Sequence, residues 1–206
     1  MKRKYSLLFS ALLIGALAVA CGGGGTSSGG ESSPDATSGD AGGGGGGMVD
    51  TGEFGSPEIA ALLPTSVDGV NFTISTFDYS KIPLAQAAAS FGDATLEGWL
   101  GKSGKTWADV RWGNAASDLG GDKSATVTVF RVLGADQASL LDWWGGSSLN
   151  TGGDGETTVT LGGNTVNKLA YPGLSMVFYQ WVKGDTLYWV TADPESFGDA
   201  VVTATK

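Results

Sequence analysis

Residues from about 54 to 206 predict an α+β domain: an antiparallel β-sheet backed by helices in one compact unit. Three observations carry that expectation. Short runs alternate apolar with polar residues; successive runs are joined by Gly-containing turns short enough for hairpins; stretches with apolar residues at i, i+3, i+4 and i+7 lie between and after them. Short turns impose antiparallel pairing, and an amphipathic helix must bury its stripe against a sheet face. About 150 residues suffice for one domain that buries roughly 70% of its unfolded surface.

The elements follow in order. Val70, Phe72, Ile74 and Thr76 alternate with Asn71, Thr73 and Ser75, which is the pattern of a half-buried strand. Pro83 suits the first turn of a helix with Leu84, Ala87, Ala88 and Phe91 on one face, ended by Gly92. A second short helix groups Leu96, Trp99 and Leu100. Strands are predicted near 107–116 and 124–133, the latter rich in Val127, Val129, Phe130 and Val132. Asp136 is placed to cap a helix running to Trp144, with Gly145-Gly146 as its stop. Two hairpins come next. One pairs 157–161 with 165–171 around Gly162-Gly163-Asn164, and the other pairs 174–182 with 186–192 around Lys183-Gly184-Asp185. Asp193-Pro194-Glu195 opens a last helix whose stripe is Phe197, Ala200, Val201 and Ala204. The predicted order is β-α-α-β-β-α-β-β-β-β-α without an internal repeat. Its opening leaves a ferredoxin-like split βαβ core as one arrangement of the strands.

Upstream of the domain the composition changes twice. Residues 22–47 carry Gly at half their positions, with Ser, Thr, Asp and Glu among most of the rest. Such a stretch buries too little apolar surface to offset the entropy of ordering. Residues 21–53 are therefore expected to be a disordered tether, and its 22–47 stretch has a root-mean-square reach of roughly 25–30 Å. Residues 1–20 open with Lys2, Arg3 and Lys4 and continue in a mostly apolar run from Leu7 to Ala20. That run is too short for a stable span, which needs ~20 apolar residues, and its small-residue end is that of a secretory signal.

The signal ends Leu17-Ala18-Val19-Ala20-Cys21, and Cys21 is the chain's one cysteine. This ending resembles the lipobox of bacterial lipoproteins, with Ala18 where that family usually has leucine. The resemblance implies cleavage between Ala20 and Cys21, and acylation of Cys21 on sulfur and amine by palmitate-type chains. Two or more chains anchor stably, since each buried CH₂ contributes about 0.8 kcal/mol and one chain holds only marginally. The implied address is the cell envelope, on the extracytoplasmic side of a cell membrane or outer membrane. The layout of the globular part resembles compact domains of uncharacterised bacterial lipoproteins, a likeness that implies no activity.

Composition narrows the chemistry. Cleavage would remove three of 12 basic residues and no acid, leaving nine against 21 acidic residues and a charge near −12. Such a chain has no bulk affinity for nucleic acid or anionic headgroups. With no histidine, the Ser-His-Asp and Cys-His systems and the commonest zinc and copper ligand are missing. Lipidation of Cys21 would remove the thiolate as well, so neither a metal nor another cofactor is expected. Gly101-Lys102-Ser103-Gly104-Lys105-Thr106 resembles the end of a P-loop. Trp99 stands where that motif needs its first Gly, and a helix rather than a strand precedes it, so no nucleotide is expected. The acids lie mainly at caps and turns, with Asp109 placed to pair with Arg111 on an outer strand face. No dense oxygen cluster of the calcium-loop kind occurs, and no catalytic residue is assigned.

Aromatic residues are the surplus. A two-residue turn in the last hairpin puts Met176, Phe178, Val182, Leu187 and Trp189 on one face, and Val177, Tyr179, Trp181, Tyr188 and Val190 on the other. If no helix covers the second face, Tyr179, Trp181 and Tyr188 form a contact platform. Trp143 is a further candidate, because Trp143 and Trp144 cannot point the same way on a helix. The competing outcome is a sheet packed on both sides. The leading functional expectation is a membrane-tethered, non-catalytic module that binds an envelope protein or a polysaccharide. The alternative is a small-ligand carrier with an apolar pocket between sheet and helices; a carboxylate hydrolase would need two acids converging in one cleft.

Overall fold

Nine strands form one sheet in the computed structural model, which describes residues 49–50, 52–83, 87, 94–118, 121–147, 156–170 and 175–206. Ala20, Cys21 and most of the tether lie outside the described residues, as does all of the predicted 83–92 helix except Pro83 and Ala87. The strands are β1 (Val49–Asp50), β2 (Ser66–Val67), β3 (Val70–Asp78), β4 (Val110–Ser117), β5 (Ser124–Val132), β6 (Glu156–Leu161), β7 (Asn164–Ala170), β8 (Val177–Lys183) and β9 (Thr186–Asp193). Their spatial order is β1-β3-β4-β5-β9-β8-β7-β6, with β2 pairing β3. Every pair is antiparallel except β1 with β3.

This order overturns the ferredoxin-like arrangement. A split βαβ core sets the two strands flanking a helix parallel, with another strand between them. Here β3, β4 and β5 are a meander, β9 returns antiparallel beside β5, and β6 takes the far edge. The α+β sheet itself stands as predicted. It starts earlier than Phe54, because Val49 and Asp50 already pair with Ile74 and Ser75.

Helices cover both faces. On the first face lie α1 (Pro57–Ala60) and α4 (Glu195–Ala204); on the second lie α2 (Ala94–Lys102) and α3 (Gln137–Gly146). The first core joins Phe72, Ile74, Val127 and Val190 to Ile59, Phe197, Val201 and Val202. The second joins Phe130, Val132 and Leu187 to Leu96, Leu100 and Leu140. Central β5 is buried on both sides, which is why Val127, Val129 and Phe130 read as a nearly unbroken apolar run. Each fully buried side chain of this size contributes about 1.5–3 kcal/mol.

Local chemistry explains where elements begin and end. Asp136 caps α3 by accepting a 2.9 Å bond from the Ser139 amide. Both hairpins turn in two residues: Leu161 faces Asn164 across Gly162-Gly163, and Lys183 faces Thr186 across Gly184-Asp185. Gly162 and Gly163 have φ of 56° and 81°, a conformation that costs glycine nothing. Asn164 and Lys183 therefore belong to strands, one residue beyond the predicted limits. The predicted 107–116 strand opens instead with a 3₁₀ turn, Trp107–Asp109, because Asp109 accepts a 2.8 Å bond from the Thr106 amide. That contact occupies Asp109, and Arg111 pairs with Asp78 at 3.0 Å and Glu58 at 3.3 Å. The predicted Asp109–Arg111 pair gives way to these. In α4 the buried side is Phe197, Gly198, Val201 and Val202, whereas Ala204 is exposed.

Candidate functional site

The four aromatic residues singled out in the sequence are core. Tyr179 is fully buried, and Trp181, Tyr188 and Trp143 are 5%, 3% and 6% exposed. The residues of the hairpin divide between faces as expected, but the face carrying Tyr179, Trp181 and Tyr188 belongs to the core shared with α1 and α4. Trp181 and Tyr188 stack on each other at 4.8 Å. Trp143 packs between Trp99 and Phe130, with its Nε1–H donating to Thr95 Oγ1 at 3.2 Å. These residues build the domain and form no platform.

Tyr179 also anchors α4 electrostatically. Its hydroxyl donates to Asp199 Oδ1 at 2.8 Å, and Lys168 Nζ lies 2.9 Å from the same oxygen and 2.6 Å from Glu195 Oε1. Burial, and then the bonded Asp199, pushes the Tyr179 phenol far above its ordinary range. Burial pulls Lys168 down, but its bonds to Glu195 and Asp199 outweigh that and leave the amine above its ordinary value. Both groups hold their protons more tightly folded than unfolded. Their contribution to stability is therefore whole below about pH 10 and is lost as pH rises further. The urea midpoint is expected to hold steady between about pH 8 and about pH 10 and to fall above that, less steeply in Tyr179→Phe. An equally steep fall in the variant would remove Tyr179 as the cause.

The other carboxylates that approach one another do so through cations. Glu58 and Asp78 meet at Arg111, and Asp185 bonds Arg131 at 2.9 Å. Burial raises Asp185, yet the Gly134 amide and Arg131 more than compensate and hold it below the usual carboxylate range. Among the described residues no three His, Cys, Asp or Glu side chains group as a metal site would require. The P-loop-like segment is a helix end: α2 stops at Lys102, Gly104 turns with φ 67°, and Lys105 Nζ donates to the Leu133 carbonyl at 2.8 Å.

The second sheet face holds a surface that sequence reasoning missed. Strand register arranges its side chains in three cross-strand rungs. Phe77, Trp112, Phe130, Leu187 and Val182 make an apolar rung; Phe130 and Leu187 at its centre are buried in the core shared with α2 and α3. Next to it run Ser75, Asn114, Thr128, Trp189 and Gln180. Beyond those lie Thr73, Ala116, Thr126, Thr191 and Phe178. Only Thr128 and Gln180 of these last ten are buried, and none of the ten carries a charge. Asn114 Nδ2 donates to Thr128 Oγ1 at 3.1 Å, while Trp144 stacks on Trp189 at 5.2 Å and donates to Gln180 Oε1 at 2.6 Å.

Aromatic rings border this polar strip. Phe77 is 40% exposed and lies 5.6 Å from the half-buried Trp112. Phe54, 42% exposed, shares with Phe77 and Ser75 a recess of about 120 Å³ at the sheet edge. A second recess, about 290 Å³, opens between the α1 end and Lys206. The first lies well below the range of small-molecule pockets, about 300–1,000 Å³, and the second stands at its lower limit. No family model, curated protein or solved structure matches the chain.

The polar strip had a legible signal. Thr, Ser and Asn occupy alternate positions of β3 and β5, with Asn114 between Trp112 and Ala116 on β4, and half-buried strands with polar alternation face water on one side. What the sequence lacked was the register that sets those alternations side by side.

Proposed function

We propose that this chain is a lipid-anchored, non-catalytic binding module of the cell envelope, presenting the uncharged strip of its second sheet face to a partner. The observation that carries the reading is the strip itself. In a chain with 21 acidic and 12 basic residues, its ten positions bear no charge, and exposed Phe77 borders it. Uncharged polar groups beside aromatic rings suit adhesion better than acid–base chemistry. The signal ending at Cys21 and the Gly-rich tether support the anchor, the tether leaving the domain free to turn toward its target. No helix among the described residues is long and apolar enough to cross a membrane, and in this reading lipid on Cys21 does the holding.

Three experiments test the two halves of the reading. Cys21→Ser should move the protein from the membrane fraction to the soluble fraction, and globomycin should make an uncleaved precursor accumulate. A serine variant that stays membrane-bound would refute the anchor. For the binding face, a photo-crosslinking residue at exposed Thr73 should capture an envelope component in intact cells, whereas one at exposed Ser196 beside α4 should not. Equal capture at both positions would refute the face.

A further inference from the structure

We infer that the ligand of this face is a neutral glycan chain lying across the strands, an inference that rests on the binding-module reading above. Charge narrows the choice first. A polyanion needs Lys or Arg and a basic peptide needs Asp or Glu, and the polar and outer rungs offer neither. An anionic membrane is disfavoured on the same ground. The groups on offer are hydroxyls of Ser75, Thr73, Thr126 and Thr191 and the amide of Asn114. Hydroxyl and amide groups both donate and accept, as sugar hydroxyls do, so either partner of each hydrogen bond can adapt to the other. Asn114 spends one N–H on Thr128, and its carbonyl oxygen has no partner among the described residues.

Aromatic geometry narrows it further. The apolar faces of pyranose rings need flat rings to lie on. Phe77 and Trp112 supply them on β3 and β4, whereas Trp189 on β9 has one ring face taken by the stack on Trp144. Spacing favours a linear repeat. Strands lie about 4.8 Å apart, so β3, β4, β5 and β9 offer similar polar groups at regular steps over roughly 14 Å. A chain of pyranose units crossing the strands meets Ser75 or Thr73, then Asn114, Thr126 and Thr191, with the Phe77 and Trp112 rings beside it at the β3–β4 end. A protein partner adding a strand would instead use a sheet edge, where backbone groups are free.

The test uses the purified full-length Cys21→Ser protein in affinity electrophoresis. The probes are cellohexaose conjugated to polyacrylamide, the protease-treated neutral polysaccharide fraction of the producing cells' envelope, and polygalacturonate as an anionic control. Retardation is expected with a neutral probe, not with polygalacturonate, together with a change in tryptophan fluorescence. Trp112→Ala and Asn114→Ala should each weaken binding at least tenfold. Phe77→Ser, at an exposed position, should do so with an unchanged circular dichroism spectrum, which separates lost contact from lost folding. No retardation by either neutral probe overturns the inference, as does retardation that Phe77→Ser and Asn114→Ala leave unchanged. If the Thr73 crosslinker still captures a protein in that case, the binding face stands and the glycan falls. Without specific capture at Thr73, both fall.

Discussion

Gly198→Ala is expected to destabilise the domain by about 1–3 kcal/mol, although alanine is the better helix former by about 1 kcal/mol. The cause is one close approach. A Cβ at position 198 would lie 2.6 Å from Tyr179 Cε2, 2.7 Å from its hydroxyl and 2.9 Å from Cζ. The ring cannot swing aside, because it is fully buried and its hydroxyl is bonded to Asp199 Oδ1 and the Glu195 carbonyl. Helix α4 must therefore lift from the sheet, loosening Phe197, Val201 and Val202 together. Urea denaturation measures the loss. Tyr179→Leu is itself destabilising, but the double variant should lose less than the two single changes added together, since the smaller side chain admits the methyl group. Strict additivity would show that the methyl group is accommodated some other way.

Trp144→Ala should cost more, about 3–5 kcal/mol. The indole stacks on Trp189, touches Trp143, and donates to Gln180, whose side chain is 6% exposed. Truncation opens a cavity and also leaves a buried amide oxygen unsatisfied. Trp144→Phe keeps a ring against Trp189 and loses only the bond, so its expected cost is about 1–3 kcal/mol. Adding Gln180→Leu to Trp144→Phe should recover part of that, because both polar partners are then gone. Thermal melting with circular dichroism separates the variants, and equal losses for Ala and Phe would deny the stack a role.

Much of the fold was legible because its signals are local. Val70 to Thr76 alternated with period two and formed β3. Asp136 had the right side chain one residue before the helix it caps, and Gly184 had the conformational freedom its turn needs. The errors fell where a local signal met a competitor from elsewhere. Asp109 faced two choices and took the Thr106 amide, while Arg111 found Glu58, 53 residues earlier in the chain. No window of sequence around residue 111 contains that partner. The ferredoxin-like option failed for a related reason: strand order depends on which edges pair across the whole chain, and β9, not β6, lies beside β5.

The candidate site divides in the same way. The proposed signal, lipidation at Cys21 and tether rest on composition and spacing, and no tertiary contact is needed to propose them. The sequence by itself determined the class of fold, the position of most elements and the split of the last hairpin into two aromatic faces, because period and turn chemistry act within a few residues. Only the tertiary structure decided which helices cover which face, and how far. Phe197, Val201 and Val202 of α4 and Ile59 of α1 pack into the core on the Tyr179, Trp181 and Tyr188 side, and the strip beside Phe77 and Trp112 is left partly open. Both faces carry aromatic side chains that gain from burial, so the choice between them rests on where helices 57–60 and 195–204 find complementary shape.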